Sequence, residues 1–121
     1  MQTLLFGTNN PHKLRELREI LSGHYEVKSL ADLGIDMEVE ETEDTLQGNA
    51  FLKVDAYAKA SGLPTFADDT GLAVDVLDGR PGVYAARYAG EGCKPEDNIN
   101  KLLGEMEGET ERSARFITVI A

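Results

Sequence analysis

Cysteine occurs once in this chain, at Cys93. One thiol excludes an internal disulfide framework and a four-thiolate zinc site. No apolar run approaches the roughly 20 residues that a membrane-spanning helix needs. The opening MQTLLFGTNN has neither the basic start nor the long apolar centre of a secretory signal. Positive charge is scarce: 12 Lys and Arg stand against 22 Asp and Glu, a net charge of −10. A field of that sign repels nucleic acid. The two histidines, His12 and His24, are isolated, so there is no histidine metal spacing and no Ser-His-Asp pattern. Repeats, low-complexity tracts and linkers are absent. These absences predict a soluble cytoplasmic protein without membrane or nucleic-acid partners. If the ligand is a phosphate, a divalent cation and a few local lysines must offset the acidic balance.

What is present suits one folded domain. The 121 residues are 41% hydrophobic, an ordinary globular value. QTLLF reads as a buried strand, broken by GTNNP. HKLRELREILSG follows as a helix, with Leu14, Leu17, Ile20 and Leu21 on one face, Asn10 as N-cap, Pro11 at the first position and Gly23 as the stop. YEVKSL is a second strand and ADLGI a turn. DMEVEET reads as a short polar strand or a loop. The longest helix is predicted over DTLQGNAFLKVDAYAKASG, with Asp44 and Gln47 as a capping box and Gly62 as the stop. LPTFA and GLAVDVL are strands, DGRPG a turn and VYAARYAG a short helix. PEDNINKLLGEMEG is an amphipathic helix carrying Ile99, Leu102, Leu103 and Met106, and ARFITVIA is a β-prone run expected in the core. Strands and helices intermix, which predicts a mixed α/β fold. The apolar FITVIA run, with no polar tail, suggests that residues 1–121 are the N-terminal part of a longer domain.

Four stretches carry candidate chemistry. GTNNPHK places Thr8, Asn9 and Asn10 between a strand and a helix start, where backbone N–H groups and the helix dipole favour an anion. Lys13 adds charge in the first turn. The stretch lacks the GxxxxGK[ST] spacing of a P-loop, and an Asn-capped helix with a surface lysine explains it as well. EVEETED holds five carboxylates from Glu38 to Asp44. Such a run is commonly a solvated face, but carboxylates are also what Mg²⁺ takes from a protein. Asn49 and Lys53 stand four apart on one helix face, toward a cleft or toward solvent. FADDTGLAVD sets Asp68 and Asp69 side by side at a strand end, where each raises the cost of ionising the other. Alternation sends them to opposite sides, and ligands of open α/β sheets gather beyond such ends. A turn is the plain alternative. Arg80 and Arg87 either contact phosphate or anchor acidic loops.

Taken in order, TNNPHKLRE, EETEDTLQGNAFLK, GLPTFADDTGLAVDVLDGRPGVYAARYAGE and ARFITVIA closely resemble the Ham1 family, the inosine triphosphate pyrophosphatases. The resemblance covers nearly the whole chain and is most specific from Leu63 to Glu91. It implies a central mixed sheet with flanking helices in two lobes about a cleft, the second lobe incomplete here. It implies Mg²⁺-dependent hydrolysis of deaminated purine triphosphates (ITP, dITP, XTP) to the monophosphate and pyrophosphate, by a homodimer that cleanses the nucleotide pool. By motif match, Thr8, Asn9, Asn10, Pro11, His12 and Lys13 cradle the triphosphate. Asn49 and Lys53 line the phosphate cleft, Thr70 touches substrate, and Asp69 is the proton acceptor. Glu40 or Glu41, with Asp69, holds the metal. The family often has Gly at the place of Glu43 and Ser at the place of Thr70. It also continues past the RFITVIA strand with a GFGYDP-like and an SHR-like block that grip the base, and neither occurs here. One competing reading is therefore an inactive fragment that binds metal and phosphate only. A different Mg²⁺-dependent phosphohydrolase is another, though Asp68-Asp69-Thr70 lacks the DxDxT spacing such enzymes use as nucleophile.

Overall fold

The structure is a computed structural model that describes residues 1–90 and 92–121. Strand β1 (Gln2–Phe6) leads into helix α1 (Pro11–Leu21), then β2 (Tyr25–Lys28), α2 (Leu46–Ser61), β3 (Thr65–Phe66) and β4 (Asp68–Val74). The two-residue β5 (Pro81–Gly82), helix α3 (Pro95–Glu105) and β6 (Ala114–Ile120) complete the order. The α/β class and the mixture of strand directions hold. The strands are shared between two three-stranded sheets, ordered β2-β1-β3 and β5-β4-β6. In the first sheet β1 pairs in parallel with both neighbours, Leu4 opposite Val27 and Phe6 opposite Phe66. In the second, β4 and β5 run antiparallel.

The chain divides into two compact units, residues 1–69 with 119–121, and residues 70–118. In the first, Leu5, Leu30 and Tyr57 form the core, with Ile35, Val39 and Leu63 packed on it. The Phe6 and Phe66 rings stack at 4.6 Å. Gly7 ends β1 because nothing larger fits. A Cβ there would stand 2.5 Å from the Tyr57 ring. Beyond α1, Arg18 donates to the Val27 carbonyl and to Asp32. The Ser29 backbone amide, which also donates to Asp32, holds that carboxyl below its ordinary range. In the second unit Val74, Leu77 and Met106 form the core, with Leu72, Val76 and Leu102 against it.

Several expected details differ. Ile20 is 69% exposed while Leu14, Leu17 and Leu21 are half-buried. At about 100° per residue those three leucines share a stripe, and Ile20 falls roughly a quarter-turn off it. On α3 and its C-cap, Met106 is buried and Leu102 half-buried, while Leu103 and also Ile99, which shares the angle of Met106, are exposed. The N-cap of α2 is Thr45, whose hydroxyl accepts from the Gly48 amide, in place of an Asp44–Gln47 box. Residues 36–44 form no strand, and VYAARYAG contains only a 3₁₀ turn over Ala85–Arg87. β6 forms as expected but is not a core strand: Phe116 is 79% and Ile120 64% exposed. It lies at an edge of its sheet, and β-propensity reports fit to a pleated surface more than depth of burial.

Candidate active site

The loop after β1 is built by its own side chains. Thr8 Oγ1 accepts from the Asn10 amide at 3.1 Å. Asn10 Oδ1 accepts from the His12 and Lys13 amides at 3.0 and 3.3 Å, which makes Asn10 the N-cap of α1. The free N–H groups that the sequence predicts here are thus engaged internally. An anion at this helix start would meet the dipole and Lys13 first, and would gain these amides only by displacing the Asn10 carboxamide. The His12 side chain is exposed. Thr8, Asn9, Asn10 and Pro11 line a pocket of about 200 Å³ together with Leu14 and Ser29–Ala31.

The acidic loop before α2 is positioned from the helix. Asn49 is fully buried; its Oδ1 accepts from the Glu43 amide and its Nδ2 donates to the Glu43 carbonyl. Both ends of the carboxamide therefore hold backbone, so Asn49 orients the loop and does not face an open cleft. Gly48 lets that loop close, since a Cβ would lie 2.8 Å from Glu43 Cβ. The result separates the two candidate metal ligands. Glu40 is exposed, whereas Glu41 turns inward, 3.4 Å from Lys53 Nζ. Burial, followed by the charges of Glu38 and Glu41, pushes the Tyr57 phenol up.

Lys53 is the hub. Its ammonium lies 3.4 Å from Glu41 Oε1 and 3.9 Å from Asp69 Oδ1, and donates to the Asp68 carbonyl at 2.5 Å. The Asp68 carboxylate is paired with Lys13 at 2.5 Å, with only 6% of its side chain exposed. One end of β4 thus carries two buried carboxylates, and each has a lysine from a different helix beside it. Their like charges are tolerable in that setting because each lies beside an opposite charge. Among the described residues no group of three or more His, Cys, Asp or Glu is placed to hold a metal ion. The oxygen pair of Glu41 and Asp69, both against one cation, still fits a hard ion such as Mg²⁺, which takes one or two carboxylates and completes its shell with water and phosphate.

Other expected residues lie in the second unit. The Thr70 hydroxyl shares a hydrogen bond with Thr118 at 2.9 Å. Arg80 is 3.6 Å from Glu105, which also accepts from the Tyr88 hydroxyl, and Arg87 stands over the Tyr84 ring. Arg80 thus anchors an acidic residue of its own unit. The part sequence reasoning missed is Asp68, whose link to Lys13 spans 55 positions. Two adjacent acids at a strand end were the available signal, since each needs its own cation.

Known proteins resemble the chain along its whole length. The chain is 52% identical, over its whole length, to a dITP/XTP pyrophosphatase of Porphyromonas gingivalis, of which it covers 63%. It is 47% identical to a dITP/XTP pyrophosphatase of Bacillus subtilis, again over its whole length and 63% of that protein. It therefore spans less than two thirds of the length of these relatives. Among solved structures, a HAM1 protein from Coxiella burnetii superposes with a TM-score of 0.89 at 35% identity, covering all of this chain and 62% of that one. The Staphylococcus aureus Ham1 protein gives 0.85 at 41% identity, over 98% and 62%. The Ham1 family model matches residues 4–121, and the chain belongs to the Ham1 family.

Proposed function

We propose that this chain carries the phosphate-handling part of a pyrophosphohydrolase acting on deaminated purine nucleoside triphosphates, dITP and XTP above all, as its relatives' names indicate. One observation carries the reading: Lys13 and Lys53 converge on the Asp68–Asp69 strand end beside Glu41. Two ammonium groups next to a helix N-terminus suit a polyphosphate, and carboxylates among them suit a base and a cation site.

Glu41 and Asp69 would hold Mg²⁺. When bound, that ion supplies charge neutralisation at the phosphate oxygens. The residues of the chain do the rest. Lys13 and Lys53 draw in the phosphates and offset the negative charge that grows in the transition state. Asp69, held beside Lys53, accepts a proton from a water aligned on the α-phosphorus. The new bond joins that water oxygen to phosphorus, and the bond from phosphorus to the bridging oxygen breaks. Pyrophosphate leaves with the electron pair, and the proton passes from Asp69 to solvent. General-base help of this kind is worth about 10²–10⁴-fold in rate. The same chemistry in a nucleotide pool fits a cytoplasmic homodimer with no nucleic-acid or membrane partner. No described helix is long and apolar enough to cross a membrane.

The test is Asp69→Asn, assayed by pyrophosphate release from XTP with Mg²⁺. The base is lost with little change of shape, so turnover should fall by at least about 10²-fold while the melting curve stays cooperative. Equal turnover in the variant, or orthophosphate as the product, contradicts the proposal.

A further inference from the structure

We propose that Asp68 is the positioning residue of this site: its carboxylate fixes the ammonium of Lys13, and its backbone carbonyl fixes that of Lys53. The inference rests on the phosphate-handling role proposed above and assigns the second aspartate a part distinct from proton transfer. The geometry points this way on three counts. Both lysines reach Asp68 at 2.5 Å, one through its side chain and one through its main chain. The Asp68 side chain is 6% exposed while that of Lys13 is 34% exposed, so the acid is the fixed partner and the base remains within reach of a ligand. The two lysines come from different helices, α1 and α2, and residue 68 is where they meet.

Lysine has a long flexible stem, and an ammonium has three N–H donors. Held by Asp68, Lys13 gives up its rotational freedom during folding and not during ligand binding. It then bridges the carboxylate and an incoming phosphate oxygen without leaving the pair. The Asp68 carboxylate is in direct contact with Lys13 at 2.5 Å, a closer pairing than the 3.9 Å between Asp69 and Lys53.

A bystander carboxylate makes the opposite prediction, which gives the test its sign. Removing a negative charge close to an anion site strengthens anion binding if that charge only repels the ligand. Asp68→Asn should instead weaken binding of tripolyphosphate with Mg²⁺ by about tenfold, the effect of losing a charge-assisted hydrogen bond. In a Lys13→Met background the same substitution should weaken nothing further, because the group it positions is gone. Independently of any ligand, Lys13 Nζ relaxation measured by NMR should show an ordered ammonium in the parent and a mobile one in Asp68→Asn, with the exposed Lys59 unchanged. Asp68→Ser replaces Asn if that variant does not fold. Unchanged or tighter binding with unchanged Lys13 order overturns the inference, and the parent's binding then leaves the functional reading standing. A parent that binds no tripolyphosphate overturns both.

Discussion

Lys53 lies against both carboxylates proposed to hold a divalent cation, with Glu41 at 3.4 Å and Asp69 at 3.9 Å. Its side chain is 16% exposed and that of Asp69 9%. Removing the ammonium leaves two partly buried carboxylates facing a space with one cation fewer. Lys53→Met should therefore destabilise the protein by about 3 kcal/mol, the low end of the cost of an uncompensated buried charge because Glu41 keeps some solvent. Added Mg²⁺ should raise the melting temperature of Lys53→Met more than that of the parent, since the ion can take the vacated place between the carboxylates. Equal responses to Mg²⁺ would show that Glu41 and Asp69 do not form one cation site. Lys13, Lys53, Asp69 and the Glu40–Glu41 pair, with neither glutamate preferred, were named before any coordinates, from the resemblance and from spacing. Their partners were not. Nothing local says that Lys13 meets Asp68 or that Glu41 faces inward and Glu40 out, because both facts depend on how α1 and α2 pack against the strands.

At the scale of elements, β1, α1 and its Asn10–Pro11 start, β2, and the stop of α2 at Gly62 were readable because each combines a periodic apolar pattern with a local terminator. The failures have a common cause. Ile20, Ile99 and Leu103 were placed on buried faces by spacing, but a face is only as wide as the neighbour that covers it. β6 was read as core from its β-branched residues, yet its place at a sheet edge leaves Phe116 exposed. GTNNP was read as turn formers that break the strand, and the structure gives Gly7 a further reason, the Tyr57 ring where a Cβ would stand. Gly7→Ala should therefore cost about 1–3 kcal/mol by overpacking, seen as a lower midpoint in urea unfolding at constant slope. An unchanged midpoint would mean that Tyr57 yields without cost and does not fix the β1–α1 junction.

At the scale of the whole molecule, a chain of net charge −10 concentrates its lysine pair at one strand end within residues 1–69. The general field disfavours polyanions while the local one accepts a short polyphosphate that brings its own cation. That contrast is the central claim, and it does not depend on turnover by a chain that spans less than two thirds of its relatives. The measurement that meets it directly is an NMR titration of the 121-residue protein with tripolyphosphate and Mg²⁺. The account predicts saturable shifts at the amides of residues 8–10, 12–13 and 68–69 and at the ammonium groups of Lys13 and Lys53. Shifts confined to other lysines, or none at saturating ligand, would contradict it.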